Sequence, residues 1–453
     1  MIERLVLALP VLLLTGVALW GARGRNAFSP SVIAVGMTAV VAVFFPLLSA
    51  VIEPSSWRHG VHLEDRYVLG AQAQYLAFTA GLCAVVMRIR LIRPRRRGEE
   101  RVRERSAAAV AHRDQLVALG LVVGGALLYG VYVAKVGLGP LLDRSNFAEK
   151  YRVSGGLGTF YAGLNLMMVG CLWAEASQLP RRTTNLFRAC AAGIFLWSVM
   201  AIAVRSYAVT LLLGYLYLWA RQRRFTVSRV RPALILVVGL SYVGVEAHSL
   251  LRGVWDGSLA SAVVTLQEEL SDLERTAGHV VGGSEFSHPF LTMMELDRYE
   301  VAGELAGAGY AQGFLGLAPV WLVPDRGLSV AQEFARRHYP ELAERGGGTA
   351  FCLVGEAWWN FGSILGPLLA GLALGWLLMW AERNVRVDPG GIVTRVLPYT
   401  LHLVLLVHRN SFPSLLKQVL TVALPVALLL LASSLLWDGL RAKRRGLAVA
   451  EVR

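Results

Sequence analysis

Charged residues are scarce in this 453-residue chain, at 17%, where soluble domains carry about 25%. Together with 55% hydrophobic residues and a mean hydropathy of +0.51, that shortfall excludes an ordinary soluble protein. Cysteine is scarce too: Cys83, Cys171, Cys190 and Cys352 all fall within or beside apolar stretches. Their spacing fits neither a metal site nor a disulfide framework, so they read as small hydrophobes. The chain also lacks an internal repeat, a phosphate-binding Gly-rich loop and a nucleotide fingerprint. A net charge of +14 suggests nucleic acid at first sight. Its densest run, Arg88 to Arg105, directly follows an apolar stretch, where membrane charge topology places arginine. Charge topology accounts for the excess with no nucleic-acid partner.

What the sequence does have is long apolar stretches. About eleven satisfy the length of roughly 20 residues needed to cross a bilayer core, or approach it. They are Leu5–Trp20, Ser29–Ile52, Tyr67–Met87, Gln115–Val136, Thr159–Leu179, Ala189–Val204, Tyr207–Ala220, Pro232–Ser249, Phe361–Ala381, Ile392–Val407 and Ser414–Leu436. The fold class is therefore all-α, a polytopic transmembrane bundle with one long, partly helical outer loop. Met1–Gly21 has the length of a signal peptide, but Glu3 and Arg4 nearly cancel and Arg23 and Arg25 follow the apolar run. No small-residue cleavage site stands out, so we read it as a retained first helix.

The connections alternate in charge. Arg88–Arg113, Arg181–Arg188, Arg221–Arg231, Arg383–Arg395 and Arg441–Arg445 are arginine-rich, while Glu53–Arg66, Leu138–Gly158 and Leu250–Thr349 are less basic. Assigning the basic set to the cytoplasm puts the N-terminus outside and the C-terminus inside, in the cytoplasmic membrane. The chain then divides into a bundle of eight helices (1–249), a large extracytoplasmic loop (250–349), three further helices (350–436) and a basic cytoplasmic tail (437–453). Within the loop, Leu259, Val263, Leu266, Leu270 and Leu273 recur at helical spacing, opposite Glu268, Glu269 and Asp272. His288-Pro289 is expected to break the chain before a second helical stretch around Met293–Leu305.

Three constellations could carry chemistry. Arg205 sits between two apolar runs of about 15 residues, each covering only about 22 Å of a roughly 30 Å core. The shared turn should lie below the outer surface, where arginine faces a wet cavity or an anion; the alternative is that it snorkels to headgroups. His408-Arg409-Asn410 repeats that geometry at the next outer hairpin, with an ordinary polar turn as the alternative. Two such guanidiniums suit an anion, because each binds phosphate through two parallel hydrogen bonds and stays charged. The third is Gly355-Glu356-Ala357-Trp358-Trp359-Asn360-Phe361-Gly362. In a helix, Cys352, Glu356 and Asn360 share a face, and Trp358 and Trp359 suit an interfacial aromatic belt. A partly desolvated Glu356 would gain the proton affinity of a useful base; otherwise it is a carboxylate favoured by a helix N-terminus. Glu64-Asp65 reads more simply as a solvated acidic pair beside Arg66.

From about Ala311 to Trp376 the chain resembles the Wzy-type O-antigen and oligosaccharide repeat-unit polymerases. The residues that carry this are Gly313-Phe314-Leu315, Val323-Pro324-Asp325-Arg326, Gly347-Gly348-Thr349 and Gly355 to Gly362. Val204-Arg205-Ser206 resembles the family's hairpin arginine without its usual Ser-Arg-Gly order, and Arg409 falls where such polymerases often carry another. The resemblance implies a metal-independent, inverting glycosyltransferase without a cofactor, acting on undecaprenyl-diphosphate-linked oligosaccharides. Glu356 would be the base and Arg205 and Arg409 would stabilise the diphosphate. Arg326, Asn360 and His408 would position sugar or phosphate, and a chain-length regulator is a further partner it leaves open. A ligase-like glycan transferase shares this architecture. A transporter is the reading from another class, though transporters usually show repeats and midplane charges.

Overall fold

The structure is a computed structural model. It describes residues 2–49, 64–88, 100–142, 160, 162–177, 179–198, 205–230, 264, 287–318, 322–323, 328–344 and 349–450. The expected span Pro232–Ser249, the amphipathic helix from Leu259 to Leu273, and Arg326 lie outside the described residues. The elements are α1 (Ile2–Gly21), α2 (Pro30–Leu48), α3 (Asp65–Arg88), α4 (Glu100–Val136), α5 (Gly163–Ala176), α6 (Arg181–Leu196), α7 (Arg205–Gln222), α8 (Ser287–Arg298), α9 (Ala308–Leu315), α10 (Val330–His338), α11 (Pro340–Glu344), α12 (Leu353–Phe361), α13 (Leu365–Val387), α14 (Ile392–Leu406) and α15 (Phe412–Ala450). Among the described residues, extended chain pairs only as an isolated bridge between Asn26 and Thr226.

Among the described residues, six helices are long and apolar enough to cross a membrane: α1, α2, α3, His112–Val136 of α4, α13 and Phe412–Ser433 of α15. The shorter α5 and α14 are apolar as well. The protein is an all-α, multi-pass membrane protein. Several helices run further than their apolar stretches: α6 begins at Arg181 and α13 continues to Val387. Both ends carry arginine, whose long side chain leaves the helix intact while its charge stays in water.

The chain forms two compact units, each built around close helix contacts. The first comprises 1–92, 219–384 and 401–417. Here α3 meets α13 backbone to backbone. A Cβ on Gly81 would lie 2.2 Å from Leu368 O, and one on Gly371 would lie 2.1 Å from Phe78 O. Small residues permit that approach, the main source of helix association in lipid. Two buried arginines are paired, as burial requires. Arg4 of α1 bonds Asp65 Oδ1 (2.5 Å from Nη2) and Pro46 O (3.1 Å). Arg25 bonds Val86 O (2.9 Å) and Ser31 Oγ (3.0 Å), with Glu382 Oε2 at 3.6 Å. Asp65 is thus a structural partner, while Glu64 pairs with exposed Arg66.

The second unit comprises 93–218, 385–400 and 418–453. α4 and α5 cross at Gly125 and Gly163, where a Cβ on either would sit within 2.5 Å of the other's carbonyl oxygen. Arg395 is buried against Asp114 Oδ2 (2.5 Å) and over the Trp173 ring.

The loop elements differ from expectation at both ends of α8. As described, the helix runs from Ser287, so it includes His288-Pro289 instead of following them. It stops at Arg298, before Glu300 takes a left-handed conformation (φ 55°).

Candidate active site

α12 begins at an N-cap, Cys352, whose Sγ accepts from Gly355 N at 3.3 Å. It ends at Gly362, which is left-handed (φ 62°) and so close to Gly303 that a Cβ would lie 2.8 Å from its Cα. Only glycine fits both demands, so α12 cannot run on into α13. Every residue from Leu353 to Asn360 is buried. That includes Trp358 and Trp359, expected at the membrane surface as an aromatic belt. Trp359 instead packs edge-on against Phe334 of α10 at 5.4 Å and beside Phe351; α10 covers the position that sequence spacing alone left open.

Glu356 is fully buried on this helix. Its Oε2 accepts from Phe412 N, the first amide of α15, at 2.5 Å. No hydrogen-bond partner for Oε1 is found among the described residues. Burial pushes the carboxyl up to about 8, against a smaller downward pull from the Phe412 amide. The helix-terminus placement is seen directly: Glu356 lies in the first turn of α12 and also caps α15.

The turn between α14 and α15 is clamped to α12 from both sides. Leu353 N donates to Val407 O at 3.0 Å, and the Glu356 carboxylate takes the amide at the turn's other end. Between these bonds stand His408, Arg409 and Asn410. His408 is wholly buried, stacked on Tyr75 and edge-on to Phe78. Its Nε2 lies 3.2 Å from Thr38 Oγ1, which donates its own proton to Ala34 O. That assigns the ring proton to Nε2. Burial lowers His408 to about 4, so the ring is neutral. Arg409 is half-buried beside it.

Asn360 is equally committed. Its Oδ1 accepts from Gly309 N (3.0 Å) and its Nδ2 donates to Glu356 O (2.8 Å), tying α9 to the helix that carries the carboxylate. α9 brings Tyr310, whose ring pairs with Phe361 and Phe412 at 5.8 Å. Burial, then the nearby Glu356, raises its phenol above the usual value. Tyr310 and Thr38 were not singled out from sequence. The available signal for Tyr310 is its place as the one phenol in an uncharged loop stretch; Thr38, inside an apolar helix, offers none.

In the first unit the structure thus places Glu356 and Asn360 on α12 and clamps to that helix the turn that carries His408 and Arg409. Arg205 opens α7 in the second unit. In comparisons with known proteins, neither the curated proteins nor the solved structures give a match. One family does match, over residues 327–437, a stretch that holds all four of the residues gathered around α12. The family is described as O-antigen polysaccharide polymerase Wzy, and the match bears out over that stretch the resemblance to Wzy-type polymerases read from the sequence.

Proposed function

We propose that this protein polymerises polysaccharide. It would join undecaprenyl-diphosphate-linked oligosaccharide repeat units on the outer face of the cytoplasmic membrane, by inverting, metal-independent glycosyl transfer. The observation that carries this reading is Glu356: a buried carboxylate with one oxygen held and no hydrogen-bond partner found for the other among the described residues, inside the stretch that matches the polymerase family.

The chemistry follows from those parts. A hydroxyl of the incoming lipid-linked unit attacks the anomeric carbon of the growing chain. Glu356 Oε1 takes the hydroxyl proton as the new C–O bond forms. The bond from the anomeric carbon to the diphosphate breaks on the opposite face, which inverts the centre. Negative charge develops on the departing diphosphate, and Arg409, with Arg205, neutralises it where it appears. Arg326 contributes to binding, while Asn360 and His408 act through others. Asn360 holds α9 against α12, and His408, enclosed by Thr38, Tyr75 and Phe78, fixes the turn that presents Arg409. The arginine-rich connections orient this site outward, with the N-terminus outside and the C-terminus in the cytoplasm. The loop helices α8, α10 and α11 form the cover, and a chain-length regulator would act from outside the chain.

The test is the surface glycan of a strain lacking this protein. A single repeat unit in place of a ladder is expected. Long chains stranded on the lipid carrier would overturn the polymerase reading in favour of a ligase.

A further inference from the structure

We infer that α9, in the loop between α8 and α10, is not a solvated loop helix but lies in the outer leaflet of the bilayer, its outward face against lipid chains.

The first sign is in the sequence. Leu305–Pro324 runs for 20 residues without a charged side chain, between Glu304 and Asp325, inside a loop otherwise rich in charge. A loop bathed in water has no cause to exclude charge over that length. The stretch cannot cross the membrane as helix, because the eight residues of α9 cover only about 12 Å.

The second sign is what α9 exposes. Gly309 and Gly313 form its inner face: a Cβ on Gly313 would lie 2.2 Å from Pro413 Cγ, and one on Gly309 2.9 Å from the Asn360 amide. With the glycines turned inward, Phe314 is 55% exposed and Leu315 50%. These side chains continue a larger apolar surface. Phe314 meets Phe412 at 5.7 Å, Phe412 meets Tyr310, and Tyr310 meets Phe361. Phe361 leads to Ile364 and Leu365, exposed at 51% and 60% where the membrane helix α13 begins. The outward face of α9 is therefore continuous with a surface that faces lipid, and lipid is the occupant that continuity selects.

The third sign is the backbone. Water is absent from the hydrocarbon region, so amides there need partners within the protein. Before α9, the amides of Glu304, Leu305, Ala306 and Ala308 are bonded to Val301, Trp359, Gly303 and Leu305 carbonyls. After it, Gly316, Leu317 and Ala318 bond back to Gln312, Phe314 and Leu315. The Gly309 amide goes to Asn360.

One consequence is that Glu356 has a lipid-side wall. Tyr310 and Phe412, paired at 5.8 Å and each half-buried, would form that wall between the carboxyl and lipid.

The experiment is spin-label accessibility of the whole protein in phosphatidylethanolamine–phosphatidylglycerol liposomes. Cys190, the native cysteine that is not buried, is replaced by serine. Labels go on Phe314→Cys and Leu315→Cys, with Leu369→Cys on α13 as the lipid reference and Arg336→Cys on α10 as the water reference. Ala311→Cys, exposed on the same face of α9, adds a position with little volume change should the larger replacements disturb folding. The α9 labels should collide more with oxygen than with a nickel chelate, as position 369 does, at a depth of about 5–10 Å. If they behave like position 336, the helix is solvated and the inference fails. If they are shielded from both quenchers, protein rather than lipid covers the face, and it fails equally.

Discussion

Glu356 has two oxygens in different situations, an asymmetry that the proposed general base would use. One is fixed by the Phe412 amide; for the other, no hydrogen-bond partner is found among the described residues. Because burial raises the group to about 8, it is mostly protonated at neutral pH. Glycan extension should therefore rise roughly tenfold per pH unit below that value and level off above it. His408, at about 4, stays neutral across this range and adds no second limb. A pH–rate profile of the purified protein checks this; a flat profile from pH 6 to 9 would remove Glu356 as the base. Arg409→Ala should abolish polymer while the protein still inserts. Arg409→Lys should recover only part, because the bidentate fork is lost; chain-length analysis of the glycan reads both. At this scale the sequence was informative where residue type is the signal. Glu356, His408 and Arg409 were legible as polar groups beside apolar helices. The commitment of Asn360 to Gly309, and the enclosure of His408 by Thr38 and Tyr75, depend on segments distant in the chain, and local spacing carries no trace of them.

At the scale of elements, the site is held by short helices whose placement rests on close contacts. α9 approaches Pro413 through Gly313, so Gly313→Val must push the helix away from the start of α15, whose first amide holds Glu356. A displacement of about 1 Å near reacting groups can cost on the order of 10²-fold in rate. Ala311→Val, on the exposed face of the same helix, should leave activity near normal, so the pair of rates separates placement from bulk. α8 carries a second buried carboxyl. Glu295 accepts from Tyr339 Oη at 2.5 Å, linking α8 to the residue between α10 and α11. Burial raises it to about 7, against the downward pull of Tyr339 and Arg298. The folded state thus holds this proton more tightly than the unfolded chain. The associated stability is complete below pH 4.5 and is lost as pH rises through about 7. The loss is on the order of 3 kcal/mol. Thermal unfolding in detergent should show Tm falling between pH 5 and 8, and Glu295→Gln should flatten that dependence. Helix existence was readable from hydropathy, whereas helix ends were not. Pro289 looked like a breaker and lies within α8. The break at Gly362 depends on Gly303, about sixty residues away along the chain.

For the molecule as a whole, composition was enough for an all-α, multi-pass membrane protein, because a bilayer admits few alternatives. The long loop is where that inference was too coarse. Charge counting treated 250–349 as one water-exposed segment, yet α9 and the uncharged stretch around it carry an apolar surface continuous with α13. What hydropathy averages over a hundred residues, the fold sorts into a lipid-facing helix and a polar cover. These scales meet in the proposed function: a repeat-unit polymerase whose base is Glu356. The measurement that tests it most directly is glycan length formed by purified protein in liposomes supplied with defined lipid-linked repeat units, wild type against Glu356→Gln. The amide keeps an acceptor for Phe412 N but loses the proton-accepting oxygen. A ladder is expected from the wild type, with free lipid diphosphate released in step, and a rate lower by about 10²–10⁴-fold in the variant. A variant that polymerises at the wild-type rate, or a wild type that moves labelled lipid across the membrane without lengthening any glycan, would contradict it.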